Sequence, residues 1–440
     1  MEGLEAATGA TIGATRWKRL IPASMVVYII SFMDRTNISY AFAGIGQEFH
    51  VSNADQGFAG GIFFIGYTLF QIPGGWLATR WSAKKSVGIM ILLWGAAAIW
   101  CGLSRSFNEL VLARFVLGIA EGGVWPAILV LINNWFPVSE RARAYGFWMT
   151  NLAIASIITQ PLSGFIVGST DWRTMLLIEG VLPFIIATPV WWLAIADTPR
   201  DAAWCSQAER DYIEKSLLAE ASSEPKTLPI RRIFTDRVVW QLIVVSFLIQ
   251  VGFYGLNMWL PSLLKALTEA GFGAVGLIAA LPYCTAIVFM WVNGSLADRN
   301  RRYQRHVLIS LVVAAVSLVA SVLIGQSFVA LSVFFICLAI GGALSYEGPF
   351  WAAASRAVPA SAAGAAAGLI NAVGNLGGFL GPRLGGVLLD MSGGQFVATA
   401  VALAASFLLA GLVMLTVRLP RGRGDDGIEA TAAHLKAHAS

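Results

Sequence analysis

The sequence predicts an all-α membrane protein with twelve transmembrane helices in two six-helix pseudo-repeats. Three observations predict this. Of 440 residues, 57% are hydrophobic and 12% charged, with a mean hydropathy of +0.69, too apolar for a soluble domain of this length. Apolar runs long enough to cross a hydrocarbon core of about 30 Å recur twelve times. Short motifs of the first six runs return in the last six at nearly constant offset.

The runs lie at about 20–44, 56–79, 85–104, 108–133, 143–168, 173–196, 238–265, 272–297, 306–325, 329–357, 361–389 and 395–418. Many contain Gly and some contain Pro, which lipid tolerates because neighbouring helices satisfy the freed backbone groups. Residues 1–15 lack a basic segment followed by a short apolar core and a small-residue cleavage site, so no removable signal peptide is expected. Residues 197–237 are the one long polar connection and divide the spans six and six. The expected organisation is a first bundle over 1–196, a linker over 197–237, a second bundle over 238–420 and a tail over 421–440. Within the linker, "SQAE" at Ser206–Glu209 has capping-box spacing ahead of Ile213, Leu217 and Leu218, which predicts a short amphipathic helix, read as a spacer against the membrane face.

The net charge of +5 raises nucleic acid as a partner, but the placement of charge points to the bilayer instead. Alternating the loops between two sides puts 24 of the 30 Lys and Arg residues on one side and only Arg105, Arg173 and Lys265 on the other. By the positive-inside rule both termini are expected in the cytoplasm of a plasma membrane, here a bacterial inner membrane. The remaining three, Arg35, Arg114 and Arg383, fall within spans. Cys101, Cys205, Cys284 and Cys337 are scattered, with neither disulfide nor zinc-ligand spacing, and no metal or organic cofactor is expected. The four histidines (His50, His306, His434 and His438) form no cluster in the membrane, which argues against an intramembrane enzyme.

The repeat is visible in three places. "GGWLATR" from Gly74 returns as "NGSLADR" from Asn293, at an offset of 219. Pro137, Ser139 and Gly146 match Pro359, Ser361 and Gly368 at 222, and Pro161 and Gly164 match Pro382 and Gly385 at 221. Parallel repeats joined by a loop are the plan of carriers that rock one half against the other around a midplane site. "GGWLATR" with Lys84 and Lys85 resembles the second-to-third-span signature of the major facilitator superfamily, and "GSLADR" resembles its second-half copy. "DRTNIS", "ARFVLGIAEGGVWPA" and "NNWFPVSERARA" resemble its anion:cation symporter branch, which includes carriers for sugar acids, tartrate, phthalate and sialic acid. The resemblance covers nearly the whole chain. It implies a gate built on Arg80, Asp298 and Arg299, with the acidic position of the first signature replaced by Thr79.

Charges within the spans carry the functional reading. Near the bilayer centre a charge costs roughly 2.5–3.5 kcal/mol on insertion scales, so it is kept beside a partner or a watery path. Asp34 and Arg35 sit together mid-span in "SFMDRTNISY", and Arg114 and Glu121 are nearly two helical turns apart on one face of the fourth span. Two charges of each sign can neutralise one another in an empty cavity. A structural ion-pair network would use the same four residues. Arg35 is the expected ligand of a substrate carboxylate, because a guanidinium offers two parallel N–H donors. Arg114 is a second expected substrate contact. Asp34 and Glu121 are the expected proton carriers, with protons as the coupling ion: a proton on the acids frees the arginines for an anion.

The resemblance also implies ligand contacts at Tyr67, Trp351 and Asn371, each of which would serve equally as packing. Leu152 stands where sugar-acid members carry a glutamine, which makes a less polar acid more plausible. "WLPSLLK" lacks the arginine of organophosphate exchangers. Glu347 and Arg383 are read as a pair or as ligand contacts without a firm role, Glu179 as an end charge near Arg173, and "GFLGPRLGG" as helix packing. The expected function is proton-coupled import of a small organic acid by a monomer, with an anion exchanger or exporter as the alternative.

Overall fold

The computed structural model describes residues 14–223, 235–358 and 363–419. The expected tail over 421–440, part of the linker, and the repeat residues Pro359 and Ser361 lie outside the described residues. Among the described residues every regular element is helical, and nine helical stretches are long and apolar enough to cross a membrane. One of these, Tyr303–Ala357, is 55 residues long and holds two crossings: Tyr303–Ile324, and then Val329–Ser345 with Glu347–Ala357. Two more, Thr15–Thr36 with Ile38–Phe49 and Ala363–Gly374 with Gly377–Met391, are interrupted helices and complete the twelve.

The remaining crossings are Asn53–Arg80, Ala83–Leu103, Phe107–Gly122 with Val124–Trp135, Val138–Met149 with Asn151–Ser169, Trp172–Leu182 continuing to Thr188–Ala194, Arg237–Thr268, Phe272–Asn300 and Phe396–Thr416. Their starts are written locally. Ser52 and Asp55 form a capping box on the second span, Ser82 and Ser106 cap the third and fourth, and Asp171 caps the sixth. The Thr174 hydroxyl and backbone N–H groups hold the Asp171 carboxyl below its ordinary range.

Several spans break near their middles: the first at Asn37, the fourth at Gly123, the fifth at Thr150, the tenth at Tyr346 and the eleventh just after Gly374. The fourth and tenth breaks occupy corresponding places in the two halves, as do the fifth and eleventh. A broken helix in the membrane frees backbone carbonyls that something polar must satisfy. The break at Asn37 is pinned from two other spans. Glu179 of the sixth is fully buried and accepts hydrogen bonds from Asn37 Nδ2 at 2.8 Å and from Ser163 Oγ at 2.7 Å. Glu179 is therefore not the end charge expected beside Arg173, which pairs with Glu48 at 2.7 Å.

The linker helix, Gln207–Ser223, is capped by Ser206, whose Oγ accepts from the Glu209 N–H at 3.2 Å. Its acidic residues pair with the first half. Glu209 is buried and accepts from Arg16 Nη1 at 2.7 Å, Arg16 also pairs with Glu140 at 2.8 Å, and Arg141 pairs with Glu220 at 3.2 Å. These contacts dock the helix on the first half, because the short span-four-to-five connection and the start of span one present opposite charges to it.

The halves close on each other toward the face away from the linker. There the second span meets the eleventh at Gly57 and Gly61, where an added Cβ would strike the Pro382 and Phe379 carbonyls. The fifth meets the eighth at Gly164 and Gly276, and Phe42 of the first packs on Trp259 of the seventh at 4.9 Å between ring centroids. Toward the linker face, a Cβ added at Gly146 or at its repeat counterpart Gly368 would meet no neighbouring element within 4 Å.

Candidate functional site

Between the halves lies a cavity of about 70 Å³. The first span supplies Tyr28, Phe32 and Arg35, which recur at helical spacing and so share one face. Tyr67 comes from the second span, Trp125 from the fourth, and Met149 and Leu152 from the fifth. The second half answers with Ser246, Gln250, Phe253 and Tyr254 of the seventh span, Tyr346, Glu347, Phe350 and Trp351 of the tenth, and Asn371 and Asn375 of the eleventh.

Arg35 is held mostly by rings. Its guanidinium carbon lies 4.5 Å from the Tyr67 ring centroid and within 6 Å of those of Tyr28, Phe32 and Phe63. Nη1 donates to Tyr254 Oη across the two halves at 3.4 Å, and Nη2 lies 3.6 Å from Glu121 Oε2. That separation makes an ion pair but exceeds hydrogen-bond length, so Nε and Nη2 keep donors with no acceptor. Glu121 sits behind Arg35 with no exposure, and its Oε2 accepts from Ser31 Oγ at 2.7 Å.

The four charges do not share the cavity, as they were expected to. Of the four, Arg35 alone lines it. Arg114, expected as a substrate contact, is buried in the first bundle and donates to the Asp34 and Arg35 carbonyls at 2.9 and 3.2 Å, and to that of Gly60 at 3.5 Å. The break at Asn37 lies just beyond these carbonyls, so Arg114 satisfies backbone that the break leaves short of donors. Asp34 is also buried away from the cavity, and neither of its carboxylate oxygens has a hydrogen-bond partner. Glu347 and Arg383 are separated too. Arg383 reaches across the seam to the Ala54 carbonyl at 2.6 Å and to Asp55 at 3.4 Å, whereas Glu347 faces the cavity.

Tyr67, Trp351 and Asn371 all line the cavity, and so does Leu152, while neighbouring Asn151 turns away and bonds the Trp148 carbonyl. Arg80, Asp298 and Arg299 are exposed at the linker-face ends of their spans, and among the described residues none of them makes an ion pair. Sequence reasoning missed Tyr28 and Tyr254. For Tyr28 a signal existed, since it lies seven residues before Arg35 on the same helical face. Tyr254 had none, because its meeting with Arg35 depends on how the two halves dock. Among the described residues no His, Cys, Asp and Glu cluster could hold a metal ion.

A sequence profile described as Major Facilitator Superfamily matches residues 24–382. A quinolone resistance transporter of Acinetobacter baumannii is 28% identical over 410 residues, covering 90% of this chain and 92% of that protein. A protein named as a putative tartrate transporter of Agrobacterium vitis is 29% identical over 412 residues, covering 90% and 89%. In three dimensions the chain is similar to a bacterial homologue of the human lysosomal transporter Spinster in its inward-facing, unoccupied conformation, with a TM-score of 0.72, 19% identity and coverage of 93% of this chain and 99% of that one.

Proposed function

Because the chain belongs to the major facilitator superfamily, a family of multi-pass membrane transporters, we propose that it is a secondary active carrier importing a small organic carboxylate together with protons. The observation that carries this reading is Arg35: a guanidinium on the central cavity, backed by an acid at 3.6 Å, with donors left over. In the empty carrier Glu121 balances Arg35 loosely. A proton on Glu121 removes that balance and leaves the guanidinium to a substrate carboxylate, which can take two parallel N–H bonds. Each entering species removes the other's unpaired-charge cost, which is the coupling. Asp34, unpaired behind the cavity, is the second proton carrier. Tyr67, Trp351 and Asn371 are contacts for the rest of the substrate, and Arg114 acts by holding the first-span backbone that presents Arg35.

In this reading both termini and the linker are cytoplasmic in a bacterial inner membrane, and the chain works as a monomer without a cofactor. The arrangement, closed away from the linker, is the inward-facing state of an alternating-access cycle. Arg80, Asp298 and Arg299 lock the linker face when it shuts. The name of the tartrate relative supports an organic acid. The name of the quinolone resistance relative favours a second reading, export of an organic anion by the same arginine.

Proteoliposomes separate these readings. With an inward proton gradient, wild type accumulates its acid against concentration, and counterflow independent of the gradient would favour exchange. Arg35→Ala is expected to lose binding in a thermal-shift assay, and Arg35→Lys most of it, since an ammonium lacks the planar fork. Glu121→Gln is expected to bind but not to accumulate. Normal binding by Arg35→Ala would defeat the assignment.

A further inference from the structure

Glu347 is the feature this function leaves unused. It opens the second helix of the tenth span, directly after the break at Tyr346. It lines the same cavity as Arg35, half-buried, and among the described residues it has no hydrogen-bond or ion-pair partner. Arg383, the other intramembrane charge of the second half, is engaged elsewhere. The cavity is therefore dipolar, with a guanidinium on the first half and a carboxylate on the second. Arg35 is the one cation lining it among the described residues, and Glu121 already faces that cation. A plain carboxylate entering would meet Glu347 as an uncompensated like charge.

Aromatic rings stand beside the acid. Tyr346 and Phe350 lie 5.9 Å apart by centroid, Phe350 and Trp351 lie 5.3 Å apart, and Trp351 is one helical turn beyond Glu347 on the same side. A carboxylate that shares a cavity wall with aromatic rings is the chemistry that recognises a protonated nitrogen. We infer that Glu347 forms a second subsite, which receives an ammonium or a cationic ring N–H, so that the preferred substrate is an amphoteric acid: carboxylate on Arg35, protonated nitrogen on Glu347. This rests on the reading of Arg35 given above. With one proton on Glu121 and a zwitterion in the cavity, Arg35 meets the carboxylate and Glu347 meets the nitrogen, and no charge is left over.

The test uses purified full-length protein and pairs of acids that differ only in the amine: β-alanine and propionate, 4-aminobutyrate and butyrate, 6-aminohexanoate and hexanoate, 4-(aminomethyl)benzoate and 4-methylbenzoate. In at least one pair the amino acid is expected to bind about tenfold tighter, the scale of one well-placed charge pair. Glu347→Gln should bring that ratio near unity while leaving the plain acid unchanged or tighter, and Glu347→Asp should keep the preference. If Glu347 merely stabilised the broken helix end, Glu347→Gln would lower the melting temperature of the empty protein without changing the ratio. Absence of an amine gain in every pair, or a gain that survives in Glu347→Gln, overturns the inference. Arg35→Ala tests the underlying reading separately: it should weaken both members of a pair, and if it weakened neither, that reading would fail while the Glu347 result still stood.

Discussion

Arg114 shows how much a single buried side chain can be misread when only its charge is considered. Its guanidinium spends its bonds on the Asp34, Arg35 and Gly60 carbonyls, groups that lipid and neighbouring apolar side chains cannot satisfy. Removing it strands those carbonyls at a cost of about 1–3 kcal/mol for each one left unmade. Arg114→Leu is accordingly expected to lower the melting temperature of the unliganded protein by several degrees. The binding preference among acids in whatever protein survives should change little. A variant of normal stability with altered selectivity would place Arg114 at the substrate instead.

At the scale of elements, the seam between the second and eleventh spans is held by a cap supplied from the opposite half. Asp390 accepts from the Asn53 backbone N–H at 3.0 Å, from Asn53 Nδ2 at 2.8 Å and from the Ala54 N–H at 2.8 Å, so the eleventh span satisfies the first turn of the second. Loss of an N-cap is worth about 1 kcal/mol, enough to shift a two-state equilibrium roughly fivefold. Asp390→Ala is expected to populate a longer distance between spin labels at His50 and Gln395, and an unchanged distribution would count against a latch. The sixth-span cap carries a pH signature. Because the Asp171 carboxyl is held below its ordinary value in the folded state, its contribution is full above the unfolded pKa and is lost as pH falls through the folded one. The stability advantage of wild type over Asp171→Ala should therefore shrink on acidification into that range. That of Asp171→Asn, which caps without titrating, should not.

For the molecule as a whole, small residues decide which face is shut. Spans two and eleven, and five and eight, approach through glycines whose replacement would collide with backbone, whereas Gly146 and Gly368 stand in open space on the linker face. Cysteines placed singly at Gly146 and Gly368, in a background without Cys101, Cys205, Cys284 and Cys337, are expected to react readily with a polar maleimide. A substrate that drives closure of that face should slow both reactions roughly threefold or more, by shifting the population. Equal rates with and without substrate would mean that the linker face does not close.

The chain by itself determined the number of crossings, their division into two related halves and the presence of charge at mid-membrane. Hydropathy over about 20 residues and recurrence at a fixed offset are properties of the chain alone, and the bilayer reads them directly. The rotation of each helix about its axis was decided only in three dimensions, because packing against distant neighbours sets it. That rotation turned Arg35 into the cavity and Asp34 away from it, although the two are adjacent in sequence. It also gave Arg114 carbonyls instead of a carboxylate, through a helix break that Glu179 pins from the sixth span. The docking of the halves, likewise invisible in sequence, sent Arg383 to the seam and left Glu347 on the cavity that Arg35 lines from the other half.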